Sequence, residues 1–254
     1  MHLPPNPKAV LIDLAGVLHV GDQAIAGAIP ALRALRATGR GLRFLTNTTR
    51  TPRSTLVQRL RDMGFDVSEE EVLTAPMAAR DYVLTHGLEP HWLVHPDVAP
   101  ELGPTSPTPT AVVIGDAGPY FTFEAMNTAF RLLAGGLPLV AMARNRYFRE
   151  TDGLTLDMGA YVAGLEFAAG ITATVVGKPA QTYFETALAS LGVAPHEAVM
   201  IGDDVTDDIG GAQAAGIAGI LVRTGKFRPQ DEHHDTVTPA AIEDDFAAAV
   251  APLL

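Results

Sequence analysis

Residues 199–216, VMIGDDVTDDIGGAQAAG, decide how the chain folds. They begin with a short apolar run of the kind that forms a strand buried on both faces of a parallel sheet. The run ends at Asp203 and Asp204, and a helix-like pattern containing Asp207 and Asp208 follows. Carboxylates crowded in this way repel one another, and a divalent cation would offset that repulsion. The stretch therefore predicts a parallel strand with an acidic site at its carboxyl end.

The same alternation of short apolar runs and amphipathic stretches extends over nearly the whole chain. Strands are predicted at residues 9–14, 42–46, 92–95, 111–115, 137–143, 173–176, 198–201 and 219–222. Helices are predicted at residues 27–37, 52–63, 76–85, 121–133, 159–169, 179–191, 207–215 and 239–250. Strands that alternate with helices indicate an α/β fold with a mainly parallel sheet.

These segments are too many for one simple sheet. We predict a core formed by both ends of the chain, residues 1–73 and 172–254, with a smaller α/β domain inserted at residues 74–171. The carboxyl ends of parallel strands meet at one edge of a sheet, and ligands bind at that edge. Candidate functional residues are therefore expected where the core strands end.

The composition narrows the classes of function. The formal net charge is −11, whereas proteins that bind nucleic acids or anionic membranes are normally basic, so neither partner is expected. The chain has no cysteine, which excludes zinc–thiolate sites and cysteine nucleophiles. It has no signal-like start and no apolar run of about 18 residues, the length needed to span a membrane. We expect a soluble cytoplasmic protein.

Two predicted strands end in side chains suited to phosphate chemistry. VLIDLAGVL, residues 10–18, leads directly into Asp13, and a carboxylate at the end of a buried strand needs a cation or hydrogen-bond donors. Asp13 taken alone could equally begin a turn. RFLTNTT, residues 43–49, ends a strand at Thr46, whose hydroxyl can donate to a phosphate oxygen, as can the backbone N–H of Asn47. Polar residues after a strand are also common in ordinary loops.

Lys178, in VVGKP at residues 175–179, is a candidate cation. Of the 18 basic residues only three are lysines, so the chain uses arginine almost everywhere else. An ammonium group is a compact point charge, and it can neutralise both a carboxylate nucleophile and an incoming phosphate. The alternative interpretation is a lysine that merely caps the end of a strand.

Among the acidic residues of 199–216, we predict Asp203 as a metal ligand. Oxygen ligands are those that Mg²⁺ prefers. Asp207 and Asp208 have a simpler explanation, because the helix dipole favours carboxylates at a helix N-terminus.

Asp13, Thr46, Lys178 and Asp203 occur in the order of the four motifs of haloacid dehalogenase phosphatases, and the chain resembles that family over essentially its whole length. The long gap between the second and third motifs is similar to that of members with a large inserted cap. Further matching stretches lie outside the motifs, among them GDAGPYFTFEAMNTAFRLL, RYFRETDGL and RTGKFRPQDEHH. The resemblance implies a doubly wound parallel-sheet core of Rossmann type with an inserted α/β cap domain.

The resemblance also implies a phosphatase that uses Mg²⁺ and forms a phospho-aspartyl intermediate. Asp13 would be the nucleophile and a metal ligand, and the backbone carbonyl of Ala15 and the carboxylate of Asp203 would complete the protein's ligands. The implied phosphate-binding set is Thr46, Asn47 and Lys178. The expected partner is a small phosphorylated substrate, and similarity suggests a homodimer formed through the cap.

Ala15 departs from the family pattern, which usually has a second aspartate at this position. That aspartate protonates the leaving group, and loss of such a general acid typically slows a reaction by about 10²–10⁴-fold. Pyrophosphate leaves as a stabilised anion, and a phosphorylated imidazole or lysine can carry its own proton to the departing nitrogen. Such substrates depend least on a general acid that protonates the leaving group. His19 could supply the missing proton, or it could be an ordinary loop residue.

Specificity residues are expected within residues 146–161, where Asp157 is the first candidate for substrate binding, although a strand-to-helix turn explains it too. Two other functions are compatible with the sequence. One is a broader monophosphatase for nucleotides or small metabolites. The other is a catalytically weak, phosphate-binding regulatory protein, because Ala15 replaces the usual general acid.

Overall fold

The computed structural model describes residues 2–150 and 153–254. Their strands are β1 (Ala9–Asp13), β2 (His19–Val20), β3 (Gln23–Ala24), β4 (Gly41–Thr46), β5 (Val72–Thr74), β6 (Pro90–Leu93), β7 (Ala111–Ile114), β8 (Leu139–Ala141), β9 (Tyr147–Glu150), β10 (Gly153–Leu156), β11 (Thr174–Val175), β12 (Ala198–Gly202), β13 (Ala218–Val222) and β14 (Ala241–Glu243). Their α-helices are α1 (Ala28–Ala37), α2 (Arg53–Asp62), α3 (Ala75–Thr85), α4 (Ala99–Leu102), α5 (Phe123–Ala134), α6 (Gly159–Ala169), α7 (Gln181–Ala189), α8 (Gly211–Ala214) and α9 (Phe246–Val250). Within these ranges, no helix has both the length and the apolar character needed to cross a membrane.

The chain separates into two compact units. The first contains the residues up to Thr46 together with Arg53–Leu73 and Lys178–Leu254, and the second contains Asn47–Pro52 and Thr74–Gly177. The predicted division differs in detail, because it assigned residues 47–52 and 172–177 to the core. The functions of the two units as catalytic core and cap stay predictions.

The first unit is built on a six-stranded sheet with the order β14-β13-β12-β1-β4-β5. β1 pairs in parallel with β12 on one side and β4 on the other, and β13 and β14 continue the parallel pairing beyond β12. Every residue of β1, β12 and β13 is buried, which explains why these strands are apolar runs without alternation. The predicted α/β fold with a parallel sheet is confirmed. Its parallel strands bring Asp13, Thr46 and Gly202 to the same edge.

Apolar packing on the sheet fixes β1 and β4. Phe44 of β4, Leu35 of α1 and Phe246 of α9 belong to one buried cluster, and full burial of such a side chain contributes about 1.5–3 kcal/mol. Arg36 of α1 adds two hydrogen bonds, of 2.7 and 2.6 Å, to the carboxylate of Glu71 just before β5. The strands that end at the site are therefore held by helices on their faces.

The second unit contains a four-stranded parallel sheet, β11-β8-β7-β6, and the antiparallel hairpin β9–β10. The segment Asn47–Pro52 is attached to this unit by a buried carboxylate. Asp116 accepts a hydrogen bond from Arg50 Nη2 at 3.0 Å and forms an ion pair with Arg50 Nε at 2.6 Å, and its own N–H donates to the Thr49 hydroxyl at 3.2 Å.

The prediction of one helix over residues 239–250 is wrong in its first half. Ala241–Glu243 forms β14, which completes the edge of the sheet by pairing with β13. Helix α9 begins only after Asp245, whose carboxylate accepts the N–H of Ala248 at 2.8 Å. An alanine-rich apolar pattern is compatible with a strand as well as with a helix. Residues 241–243 form a strand because they pair with β13.

Candidate active site

Lys178 joins the ends of two strands at the carboxyl edge of the first unit's sheet. Its ammonium group donates to Asp13 Oδ1, to Asp208 Oδ1 at 2.6 Å and to the Leu45 carbonyl at 3.3 Å. An ammonium group can donate in several directions from one nitrogen, which a planar guanidinium cannot do from a single atom. The sequence-predicted pair Asp13 and Lys178 is therefore in direct contact.

Asp13, Asp203 and Asp208 form an acidic group around this lysine. Each offers one carboxylate oxygen, and these oxygens all lie within 4.8 Å of one another. The three aspartates and Lys178 are only 1–6% exposed. Buried carboxylates at this spacing are hard oxygen donors of the kind that hold Mg²⁺, so the residues present fit a divalent cation.

The electrostatics of the group agree with a cation site. Burial, together with the negative charges of Asp13 and Asp208, raises the pKa of Asp203 well above its ordinary value. Burial also raises the pKa of Asp208, although Lys178 opposes the rise. Burial alone would lower the pKa of Lys178, but Asp13 and Asp208 raise it well above its ordinary value, so the lysine is charged. The raised pKa values show that the carboxylates of Asp203 and Asp208 lack enough positive charge around them, and a bound divalent ion would supply it and favour their ionised forms.

Asp208 is a site residue that the sequence interpretation missed. Residues 205–210 form a short π-helical turn instead of the start of an α-helix, and the N-terminal capping residue is Asp204, which accepts the N–H groups of Thr206 and Asp207 at 3.0 and 2.9 Å. Asp208 instead accepts from Lys178 and from the N–H of Asp204, at 3.1 Å. A side chain at Gly202 would overlap the Asp208 side chain, so the glycine before Asp203 was the available signal.

Thr46, the predicted phosphate-binding residue at the end of β4, is buried and is held by Tyr183 of α7. The Tyr183 hydroxyl donates to the Thr46 carbonyl at 3.1 Å and lies 2.6 Å from the Leu73 carbonyl. Burial raises the pKa of Tyr183, so the phenol stays protonated and able to donate. Sequence reasoning missed Tyr183, because an aromatic residue inside a helix pattern is ordinarily core packing.

Asn47 and Asp157, the other predicted binding residues, lie in the second unit. Asn47 Nδ2 donates to Asn145 Oδ1 at 3.3 Å. The Asp157 carboxylate accepts the N–H of Met158 at 2.6 Å, at the turn that enters α6. The contact lies between β10 and α6, and the role of Asp157 in substrate binding stays a prediction. Within the predicted specificity segment 146–161, Thr151 and Asp152 lie outside the described residues.

The segment after Asp13 contains Ala15 and His19. The side chain of Ala15 is exposed and offers no proton donor. The His19 carbonyl accepts the N–H of Gly16 at 2.7 Å, and its ring Nδ1 lies 2.7 Å from the Gly21 carbonyl. Because a carbonyl only accepts, Nδ1 carries the proton in this contact. His19 therefore has a local structural contact, which is what a loop histidine would make.

Two family models match the sequence. One, described as haloacid dehalogenase-like hydrolase, matches residues 10–100, and the other, described as HAD-hydrolase-like, matches residues 175–249. The first match includes Asp13 and Thr46, and the second includes Lys178, Asp203 and Asp208.

Known proteins resemble the chain over nearly its full length. It is 46% identical to haloacid dehalogenase-like hydrolase domain-containing protein 2 of Bos taurus, over 97% of this chain and 96% of that protein. It is 44% identical to phospholysine phosphohistidine inorganic pyrophosphate phosphatase of Danio rerio, over 97% of this chain and 94% of that protein. The solved structure of a glycerol phosphate phosphatase from Mycobacterium tuberculosis in complex with magnesium matches with a TM-score of 0.87 at 26% identity, covering 96% of this chain and 76% of that one.

Proposed function

Because this chain belongs to the haloacid dehalogenase-like hydrolase family, we propose that it is a Mg²⁺-dependent phosphatase that works through a phosphorylated Asp13. The observation that carries the proposal is the contact of Lys178 with both Asp13 and Asp208, with Asp203 beside them. A buried lysine joined to a carboxylate at a strand end matches what an aspartate nucleophile needs to meet an anionic phosphoryl group.

In the proposed reaction, a carboxylate oxygen of Asp13 attacks phosphorus. The bond from phosphorus to the leaving group breaks as the bond to Asp13 forms, and the leaving group departs with its electron pair. Water then attacks phosphorus, the bond to Asp13 breaks, and inorganic phosphate and the free carboxylate result. Lys178 stabilises the negative charge of the transferring group throughout, by electrostatics and positioning.

Asp13, Asp203 and the backbone carbonyl of Ala15 would hold the metal ion. When bound, Mg²⁺ supplies positive charge that offsets the charge of the phosphoryl oxygens. Both oxygens of Asp208 already accept hydrogen bonds, from Lys178 and from the Asp204 N–H. That arrangement supports a role for Asp208 in orienting Lys178. Thr46 and Asn47 are proposed to donate to the phosphate, and Asp157 to contact the substrate.

The absence of a proton donor at Ala15 indicates which substrates the enzyme would prefer. A side chain without a proton donor at this position favours leaving groups that depart as stabilised anions or carry their own proton. We therefore propose phosphoramidates and pyrophosphate as the preferred class, ahead of small phosphate esters. The phospholysine phosphohistidine inorganic pyrophosphate phosphatase of Danio rerio, by its name, acts on that class, which is consistent with the proposal. A cytoplasmic location and a homodimer stay predictions.

A substrate panel tests the proposal. Purified protein with Mg²⁺ is assayed for phosphate release from phosphohistidine, imidodiphosphate, pyrophosphate and simple sugar phosphates, beside Asp13→Asn as the matched control. We expect release from the first three, and a loss of about 10³-fold or more in the variant, because the nucleophile is removed. Faster hydrolysis of sugar phosphates would contradict the leaving-group argument and favour the broader monophosphatase. Phosphorylation of the protein without turnover would favour the regulatory alternative.

A further inference from the structure

We propose that the loop of residues 224–226 is a positioning element, which holds one carboxylate oxygen of Asp203 in place and so presents the other oxygen to the metal ion. The inference rests on the proposed function, because it takes Asp203 as a metal ligand. The loop follows β13 and lies in the same compact unit as Asp13 and Asp203.

The first contact is made by the backbone. The N–H of Lys226 donates to Asp203 Oδ2 at 2.7 Å, and the Asp203 side chain is buried. When Asp203 is ionised, as a metal ligand is, a backbone donor to its carboxylate makes a strong, charge-assisted hydrogen bond. Because water cannot easily replace that donor at a buried site, Asp203 Oδ2 keeps a fixed partner, and the loop backbone determines where that oxygen lies.

The second contact is made by two glycines that lie against the same oxygen. Gly16 has φ +94° and Gly225 has φ +59°, and a β-carbon built at either position would overlap Asp203 Oδ2. The β-carbon built at Gly16 would also lie 2.9 Å from the α-carbon of Gly225, so the two glycines pack closely against each other. The carboxylate thus occupies the space that any other residue at these positions would fill.

The third contact ties the loop to the segment after Asp13. The Thr224 hydroxyl donates to the Gly16 carbonyl at 2.5 Å. Gly16 directly follows Ala15, whose carbonyl is the proposed backbone ligand of the metal ion. One loop therefore sets two neighbouring parts of the proposed metal site, the Asp203 carboxylate and the turn after β1. Outer partners of this kind orient metal ligands, and their loss typically weakens metal binding.

Gly225→Ala tests the inference, with Mg²⁺ affinity measured by isothermal titration calorimetry. The matched control is Gly192→Ala, because Gly192 has φ +65° and nothing within 4 Å of an added β-carbon. Both variants place alanine in a left-handed backbone conformation, but only the first displaces the Asp203 oxygen. We expect Gly225→Ala to weaken Mg²⁺ binding by about tenfold or more, and Gly192→Ala to leave the affinity unchanged.

A second pair of variants avoids backbone strain. Thr224→Val removes the hydroxyl that donates to Gly16 and keeps the shape of the side chain, whereas Thr224→Ser keeps the hydroxyl. We expect Thr224→Val to weaken Mg²⁺ binding by about twofold to tenfold, the equivalent of one neutral hydrogen bond. Thr224→Ser should bind as the wild type does. Circular dichroism in the absence of metal checks that each variant is folded.

The outcomes separate this inference from the proposed function. If the wild type binds Mg²⁺ and folded Gly225→Ala binds it equally well, or no more weakly than Gly192→Ala, the loop has no positioning role. Should Gly225→Ala fail to fold, equal affinities of Thr224→Val and Thr224→Ser would overturn the inference. A folded wild type that does not bind Mg²⁺ would refute the metal site itself, and with it both proposals.

Discussion

Replacement of Lys178 by methionine removes the ammonium group that contacts Asp13 and Asp208, two of the three buried carboxylates of the site. Methionine fills a similar volume without charge, so the expected effect is mainly electrostatic. Breaking a buried ion pair by removing one partner typically lowers the free energy of unfolding by about 3–5 kcal/mol. We expect a loss in this range in the absence of metal. We also expect phosphatase activity to fall by about 10²–10³-fold, as when one electrostatic stabiliser is removed from an active site.

Urea unfolding in EDTA and steady-state phosphate release would measure the two effects. Lys8→Met is the matched control, because Lys8 also pairs with a carboxylate, Glu197 at 2.5 Å, but is 65% exposed. An exposed pair contributes about 0–1 kcal/mol, so the control should unfold nearly as the wild type does. The reasoning is refuted if Lys178→Met unfolds at the same urea concentration as Lys8→Met, or if it retains full activity.

Three further predictions concern Tyr183, Glu71 and the metal ion. Tyr183→Phe removes the hydroxyl that lies 2.6 Å from the Leu73 carbonyl and 3.1 Å from the Thr46 carbonyl. It should lower the free energy of unfolding by about 1–3 kcal/mol in urea titrations, because a buried hydrogen bond is lost. An unchanged midpoint would contradict this. Burial by itself would raise the pKa of Glu71. The hydrogen bonds from Arg36 and Ser68 outweigh burial and lower this pKa below its ordinary 4.5. Glu71→Gln should therefore have a free energy of unfolding about 1 kcal/mol lower than the wild type at pH 7. This difference in stability should disappear as the pH falls below 4.5 and through the lower pKa that Glu71 has in the folded protein. A difference in stability that persists at low pH would refute the ion-pair explanation. Mg²⁺ at a hundred times its Kd should raise the free energy of unfolding by about 2.7 kcal/mol over protein in EDTA, and no change in thermal unfolding would argue against the site.

The family, the fold class and the enzyme class were predictable from the sequence. The resemblance to haloacid dehalogenase phosphatases and the assignment as a phosphatase hydrolase are confirmed by the relatives, and the parallel sheet by the strand pairing. Asp13 and Asp203 could be selected because each follows an apolar run that ends at the same edge of one parallel sheet. Lys178 could be selected because lysine is scarce in this chain, whereas the strand before it, β11, belongs to the sheet of the second unit. Their individual catalytic roles stay predictions.

The parts of the site that escaped prediction depend on local backbone geometry. Asp208 turns toward Lys178 because residues 205–210 wind as a π-helical turn, and acidic residues at a helix start do not specify which kind of turn forms. Tyr183 and the loop at residues 224–226 act through backbone contacts that no motif spacing reveals. The strand β14 was missed because its three residues have no pattern of their own.

The position of β1 at the interior of its sheet has a consequence for biosynthesis. Its neighbour β4 follows within a few dozen residues, but its other neighbour, β12, begins only at Ala198, in the last quarter of the chain. Until that strand emerges from the ribosome, one side of β1, which is apolar up to Asp13, has unpaired N–H and C=O groups, the kind of edge that recruits strands of other molecules. Truncated products that stop before Ala198 are therefore expected to aggregate, and chaperones that shield nascent strands should matter more for this protein than its modest size suggests.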